Sequence, residues 1–177
     1  ISAAFAAEVL GFDKDSIVKG LSETQVLPGR FEVIDSKDNG PTVIIDYSHT
    51  PEGLRKVLIS ARNIPGIENV HVVFGCGGER DKSKRSLMGK VAKKYCDKIY
   101  ITDDNPRNES AKKIRNDIMR GLKNSTAKEI GNRKKAILYA LKNSHPHEVI
   151  LIAGKGHETY QDLGKRKIFL SDKNVVK

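Results

Sequence analysis

The chain has no tryptophan, two cysteines and only five phenylalanines and five tyrosines in 177 residues. No aromatic stacking set or nucleic-acid motif stands out among them. Cys76 and Cys96 lie far apart and lack metal-ligand spacing, which argues against a zinc module and for a reduced, cytoplasmic setting. No run of about 18 apolar residues occurs, so no membrane-spanning helix is predicted. Internal repeats and low-complexity tracts are absent. The opening "ISAAFAAEVLGF" has no basic segment and includes Glu8, so it reads as a packed helix, not a signal peptide. An initiator methionine is also missing and the helical pattern is already under way, which predicts a fragment of a longer chain.

Acidic residues are the scarcer charge. There are 22 Asp and Glu against 32 Lys and Arg, a formal net charge of +10. The basic residues are scattered through "AKKIRNDIMRGLKN" and "NRKKAILYALKN", interleaved with apolar positions. That pattern reads as a solvated lysine-rich surface. The competing reading is a basic nucleic-acid-binding α/β module, which predicts salt-dependent affinity. With 38% hydrophobic and 31% charged residues, the chain suits one globular domain with a real core and a small appendage.

From Pro41 onward, apolar runs alternate with helical patterns. "TVIIDYS" (42–48), "NVHVVFG" (69–75), "KIYITDD" (98–104) and "EVILIAG" (148–154) are β-branched and almost continuously hydrophobic, as strands covered on both faces are. Between them, Leu54, Val57, Leu58 and Ala61 share a helix face. So do Leu87, Val91 and Tyr95, then Ile114, Ile118 and Leu122, then Ile137 and Leu141. Thr50–Pro51, Ser110 and Asn132 are natural helix starts. The alternation predicts a Rossmann-like, doubly wound, mostly parallel sheet with helices on both faces. "RKIFLSD" reads as an edge strand, in a hairpin after Gly164. Residues 1–27 form two helical patterns, and the turn at Pro28–Gly29 marks a boundary with the domain at 28–177.

In such sheets ligands bind beyond the carboxyl ends of the strands. There the four strands deliver "DYSHTP", "GCGGERDKSKR", "DDNPRNE" and "AGKGHETY". Any one such loop is ordinary turn chemistry. Four on one rim, carrying Asp46, His49, Arg80, Asp104, Asn105, Arg107, His157 and Glu158, point to a ligand site. Arg80 and Arg107 are donors for carboxylate or phosphate. Asp104, Asn105 and Glu158 are acceptors for an ammonium group, so the rim suits a zwitterion such as an amino acid. Pro106 stiffens the bend behind which Arg107 projects. The plainer alternative is an Asp–Arg pair capping the next helix. "GKGH" lacks the spacing of a nucleotide P-loop, and "GCGGER" that of a dinucleotide fingerprint. His157 reads as a proton shuttle or, more simply, a hydrogen bonder at a helix start. "GERDKSKR" is an anion-binding loop or a solvated charge run. Cys76 has no partner base.

Taken together, "LPGRFEVI", "IIDYSHTPEGL", "VFGCGGERDKSKRSLMG", "TDDNPRNE" and "LIAGKGHETYQ", in this order and spacing, resemble the C-terminal part of the Mur ligases. The resemblance is to the members that add diaminopimelate in peptidoglycan synthesis. It covers Pro28 to Asp172, and residues 1–27 resemble the closing helices of that family's central ATPase domain. It implies a C-terminal domain of an ATP-dependent, amide-forming ligase that presents meso-diaminopimelate to UDP-MurNAc-L-Ala-D-Glu. By this match Arg80, Asp104, Asn105, Pro106, Arg107, Gly154 and Glu158 form the diaminopimelate pocket. The "DNPR" arginine is usually missing from lysine-adding members. Arg30, Asp46 and His49 fall where the family reaches ATP. The family's P-loop, modified lysine and Mg2+ ligands belong to the central domain and are not in this sequence, so the chain alone is expected to be inactive. Sibling Mur or folylpolyglutamate-type ligases share the architecture. Lanthionine would satisfy the same pocket residues.

Overall fold

The computed structural model describes residues 2–24, 26–34 and 40–177; residues 1, 25 and 35–39 lie outside that description. Two short helices lead, α1 (Ser2–Val9) and α2 (Lys14–Ser22). The Asp13 carboxylate accepts the Ser16 N–H at 2.9 Å and so caps α2. No α2 residue is buried, and Phe5, Val9, Leu10, Phe12, Val18 and Leu21 all expose large apolar surface.

The remainder alternates as the sequence predicts. The strands are β1 (Glu32–Ile34), β2 (Thr42–Asp46), β3 (Asn69–Phe74), β4 (Lys98–Ile101), β5 (Lys128–Glu129) and β6 (Glu148–Ala153). They form one sheet in the order β1-β2-β6-β3-β4-β5, parallel throughout except for β1, which runs antiparallel to β2. Helices α3 (Pro51–Arg62), α4 (Ser83–Tyr95), α5 (Ala111–Met119) and α6 (Arg133–Lys142) connect the strands.

The period of two along each strand divides the core. Ile44, Val70, Val72, Phe74, Val149 and Leu151 pack with residues of α3, α4 and α5 on one face. Val43, Ile45, Val73, Ile150 and Ile152 pack with α6 on the other. Continuous hydrophobicity is what two covered faces require. The helix starts are also as read from the sequence. Thr50, Ser110 and Asn132 side chains accept N–H groups at Gly53, Lys113 and Lys135, and Pro51 occupies the first helical turn.

One reading changes. On α4 the buried face is Arg85, Met88, Gly89 and Ala92, while Leu87 is exposed. The cause is a close helix crossing. A Cβ on Gly89 would lie 2.4 Å from the Ile118 carbonyl, and one on Gly121 would lie 2.0 Å from that of Ser86. The glycines must face each other, so the apolar period centred on Leu87 rotates outward. The late strand does lie in a hairpin after Gly164, as read from the sequence. β7 (Tyr160–Asp162) and β8 (Lys167–Phe169) make their own two-stranded antiparallel ribbon, followed by α7 (Asp172–Val176). No described helix is long and apolar enough to cross a membrane.

Candidate functional site

β2, β6, β3 and β4 are neighbours and parallel, so residues 46–50, 154–159, 75–82 and 102–110 leave the sheet on one rim. A cleft of about 340 Å³ lies between them, and Arg80, Asp104, Asn105, Arg107, Gly154 and Glu158 line it. Tyr47, His49 and Lys84 complete its other side. Pro106 is buried behind the lining, its carbonyl pressed against Gly78.

Arg107 sits at φ +52°, a left-handed backbone uncommon outside glycine. Its N–H donates to the Asp162 carbonyl at 3.0 Å. Its Nη1 reaches back to the Gly78 carbonyl at 2.8 Å. Among the described residues no carboxylate pairs with Arg107 or with the exposed Arg80, whereas Arg85, Arg115 and Arg133 are all in ion pairs. The Asp–Arg pair that could have explained the motif is formed by its neighbour: Asp103 binds Arg115, which also holds Glu129 at 2.8 Å. Burial raises the Asp103 carboxyl above its usual range, with Arg115 opposing the shift.

The acceptor side is more tightly built than the sequence suggests. Asp104 accepts the Asn105 N–H at 2.7 Å. Gly154 lies at φ +110°, and a Cβ there would fall 2.7 Å from Asp104 Oδ2, so neither the backbone conformation nor the space admits a side chain. The Asn105 side-chain oxygen Oδ1 is already used by Lys155 Nζ at 3.1 Å and the Asp162 N–H at 2.9 Å. Asn105 therefore has no acceptor to spare for an ammonium; it keeps an amide N–H. Its Nδ2 donates to Glu158 Oε2 at 2.9 Å. Glu158 Oε1 has no hydrogen bond among the described residues.

Sequence reasoning missed three supports. Lys155 is fully buried beneath the cleft. Gln161 of β7 donates to the Asp104 carbonyl at 2.6 Å, so the ribbon braces the 103–107 bend from behind. Arg85, fully buried, clasps Glu109 with two bonds of 2.7 Å and Asp117 at 3.0 Å. Arg85 holds the Glu109 carboxyl at about 2, well below the usual range. A lysine or arginine in a charge-rich stretch reads as solvated; for Lys155 the sequence hint was its place between two glycines after a buried strand, and for Arg85 there was none.

"GERDKSKR" therefore divides. Arg80 opens on the cleft, Asp81 accepts the Ser83 N–H at 2.8 Å, Lys84 donates to the His49 carbonyl at 2.8 Å, and Arg85 is internal.

The three residues matched to ATP group around Tyr47. The Arg30 guanidinium stands 4.6 Å from its ring centroid. His49 packs edge-on at 5.0 Å and His157 tilts against the ring at 5.7 Å. Asp46 is committed internally: one oxygen accepts the Phe31 N–H at 2.8 Å and the other the Ser48 N–H at 2.6 Å. No helix follows His157, whose loop runs into β7, so the helix-start reading of that histidine does not hold. Burial pushes the Cys76 thiol up to about 12, which leaves no nucleophile there. Among the described residues no group of three or more His, Cys, Asp or Glu could hold a metal ion.

The family model "Mur ligase, glutamate ligase domain" matches residues 29–156. The chain is 47% identical over 176 residues to UDP-N-acetylmuramoyl-L-alanyl-D-glutamate–2,6-diaminopimelate ligase of Rickettsia typhi, covering 99% of this chain and 35% of that protein. Its likeness to the ligase of the same name from Geobacillus kaustophilus is 42% over 179 residues, covering 100% and 36%. A solved structure of a ligase of that name superposes with a TM-score of 0.77 at 34% identity, over 98% of this chain and 36% of the other. UDP-N-acetylmuramate–alanine ligase of Thermotoga maritima shares the fold, with a TM-score of 0.64 at 22% identity, over 85% of this chain and 32% of that one. The chain thus spans about a third of the length of the curated relatives it matches. By family match and by identity alike, this chain belongs to the Mur ligase family.

Proposed function

We propose that the chain is the amino-acid-presenting C-terminal domain of an ATP-dependent ligase that joins meso-diaminopimelate to UDP-MurNAc-L-Ala-D-Glu. Residues 28–177 form that domain, and α1 and α2 end the domain before it, which would cover their exposed apolar faces. One observation carries the reading. The cleft brings together two guanidinium groups that pair with no carboxylate among the described residues, Arg80 and Arg107, and the carboxylates of Asp104 and Glu158. A diamino diacid matches both sets of groups; lysine, which has one carboxylate, leaves a guanidinium without its anion.

In this reading the pocket binds and orients. Arg107 and Arg80 each take a carboxylate, Glu158 Oε1 and Asp104 take ammonium groups, and the Gly154 backbone lets the ligand approach. The reaction class is amide formation: a substrate carboxylate is activated by ATP as an acyl phosphate, the amine attacks its carbonyl carbon, and phosphate leaves. Fixing the amine-bearing substrate supplies the orientation that such an attack needs. Arg30 and His49 are exposed and able to meet ATP. Asp46, with both oxygens on backbone N–H groups, acts by holding the 29–31 turn. The described residues offer no set fitted to Mg2+, so no step here runs through that ion. The setting is expected to be cytoplasmic, where nucleotide-linked precursors and ATP are found together.

The test is Arg107→Ala in the full-length protein, assayed with diaminopimelate, lanthionine and lysine. Loss of a charged hydrogen bond of about 1.5–3 kcal/mol should raise the KM for diaminopimelate roughly 10- to 150-fold. An unchanged KM removes the assignment. Equal use of lanthionine keeps the pocket and broadens the substrate.

A further inference from the structure

Lys155 stands between two glycines in the loop after β6, and its side chain is completely buried. A buried ammonium is tolerated only when its protons are matched. Here all three are: Nζ donates to Asn105 Oδ1 at 3.1 Å, to Glu158 Oε2 at 2.8 Å and to the Tyr160 carbonyl. These partners belong to three different segments. Asn105 lies in the bend after β4, Glu158 ends the loop after β6, and Tyr160 opens the β7–β8 ribbon.

The two site residues are also tied to each other through Asn105 Nδ2 and Glu158 Oε2. Oε2 thus takes two donors from the protein, and Oε1 takes none among the described residues. The carboxylate is held by one oxygen and presents the other.

We propose that Lys155 is a positioning residue of the amino-acid pocket: it clamps the Asn105 bend to Glu158 and leaves Glu158 Oε1 as the acceptor for a substrate ammonium. The proposal rests on the amino-acid-presenting role given above. It separates Lys155 from a surface lysine and from a P-loop lysine alike, because its ammonium is spent inside the protein and no phosphate can reach it. It also fixes the charge of the site. Glu158 is paired with Lys155 from beneath, so the lining charges that pair with no opposite charge among the described residues are Asp81 and Asp104 together with Arg80, Lys84 and Arg107.

The experiment uses the full-length protein and Lys155→Met, which keeps much of the stem and removes the donors. Wild-type turnover with diaminopimelate is measured first. Its absence overturns the functional reading and the clamp with it. Where wild type turns over, Lys155→Met should raise the KM for diaminopimelate roughly ten- to a hundredfold while the KM for ATP moves less than about twofold. An unchanged KM for diaminopimelate overturns the clamp alone. An equal rise for both substrates also overturns it, since that is the signature of a merely structural lysine. Should Lys155→Met not fold, the crystal structure of the wild type with diaminopimelate decides. The clamp requires Lys155 Nζ on Glu158 Oε2 and the ligand ammonium on Oε1, and a ligand on neither Glu158 oxygen refutes it.

Discussion

Gly78 offers a perturbation that acts on the pocket without touching a pocket side chain. It has an ordinary backbone conformation, so alanine there is not strained by φ; the obstacle is space. A Cβ would lie 1.9 Å from the Pro106 carbonyl oxygen, 2.8 Å from its carbon and 3.1 Å from Glu109 Cβ. The two loops would have to part by about 1 Å even to reach the closest separation that packed atoms tolerate. Neither loop is free to yield. The Gly78 N–H donates to the Asn105 carbonyl at 2.9 Å, the Gly78 carbonyl accepts Arg107 Nη1, and the bend is fastened to Asp162 from behind. Overpacking of about 1–3 kcal/mol, together with about 1 kcal/mol for a weakened hydrogen bond, gives a loss near 3 kcal/mol. For a chain of this size that lowers Tm by roughly 6–12 °C. In the full-length protein a displacement of this order should also cut kcat/KM for the amino acid by about a hundredfold. Differential scanning calorimetry and steady-state kinetics on Gly78→Ala measure both. Gly20→Ala, in α2 with nothing within 4 Å of the added methyl, is the control and should hold or raise Tm. A Gly78→Ala protein that melts with wild type would refute the steric argument.

Further outcomes follow from the buried charges. Arg133 and Asp172 are wholly inaccessible and joined by two bonds of 2.8 and 2.7 Å. Arg133→Met should cost about 3–5 kcal/mol in chemical denaturation by stranding Asp172, and adding Asp172→Leu should restore most of it. No recovery in the double variant would count against that cause. Glu109 is depressed to about 2 from an ordinary 4.5, so its contribution is complete above pH 4.5 and fades as pH falls through 2. Glu109→Gln should be less stable at neutral pH and lose less stability than wild type across that window; parallel curves would contradict the Arg85–Glu109 assignment. With its thiol pushed up to about 12 by burial, Cys76 should resist a thiol reagent at pH 8 until denaturant is added, and prompt labelling of Cys76 would refute its burial.

The central sheet was readable because its strands advertise it: residues such as Val72 and Val73 must satisfy opposite cores, and only unbroken hydrophobicity does so. β1 and β5, of three and two residues, are too short to carry a period. The inward face of α4 escaped because two glycines on different segments decide it, and neither signals its partner. At the site, sequence order brought out the lining residues, since strand ends deliver them to a rim that topology fixes. Lys155, Arg85 and Arg133 escaped for one reason. Burial of a cation depends on where distant carboxylates and carbonyls fall, which is information held by the fold and not by the local string. Asn105 shows the same limit in reverse, a residue read as an open acceptor whose oxygen the protein uses itself.

The turn at residues 29–31 is riveted at two points. Asp46 takes the Phe31 N–H, and Gly29, at φ +70°, lies so close to the loop after β6 that a Cβ would sit 2.1 Å from the His157 nitrogen. The 29–31 turn is therefore fastened both to β2 and to the loop after β6, two of the elements that carry the cleft. If the domain proposed above swings against a preceding one during turnover, a pivot upstream of Gly29 would spare these two fastenings, and stiffening that stretch should slow the swing while leaving the pocket itself intact.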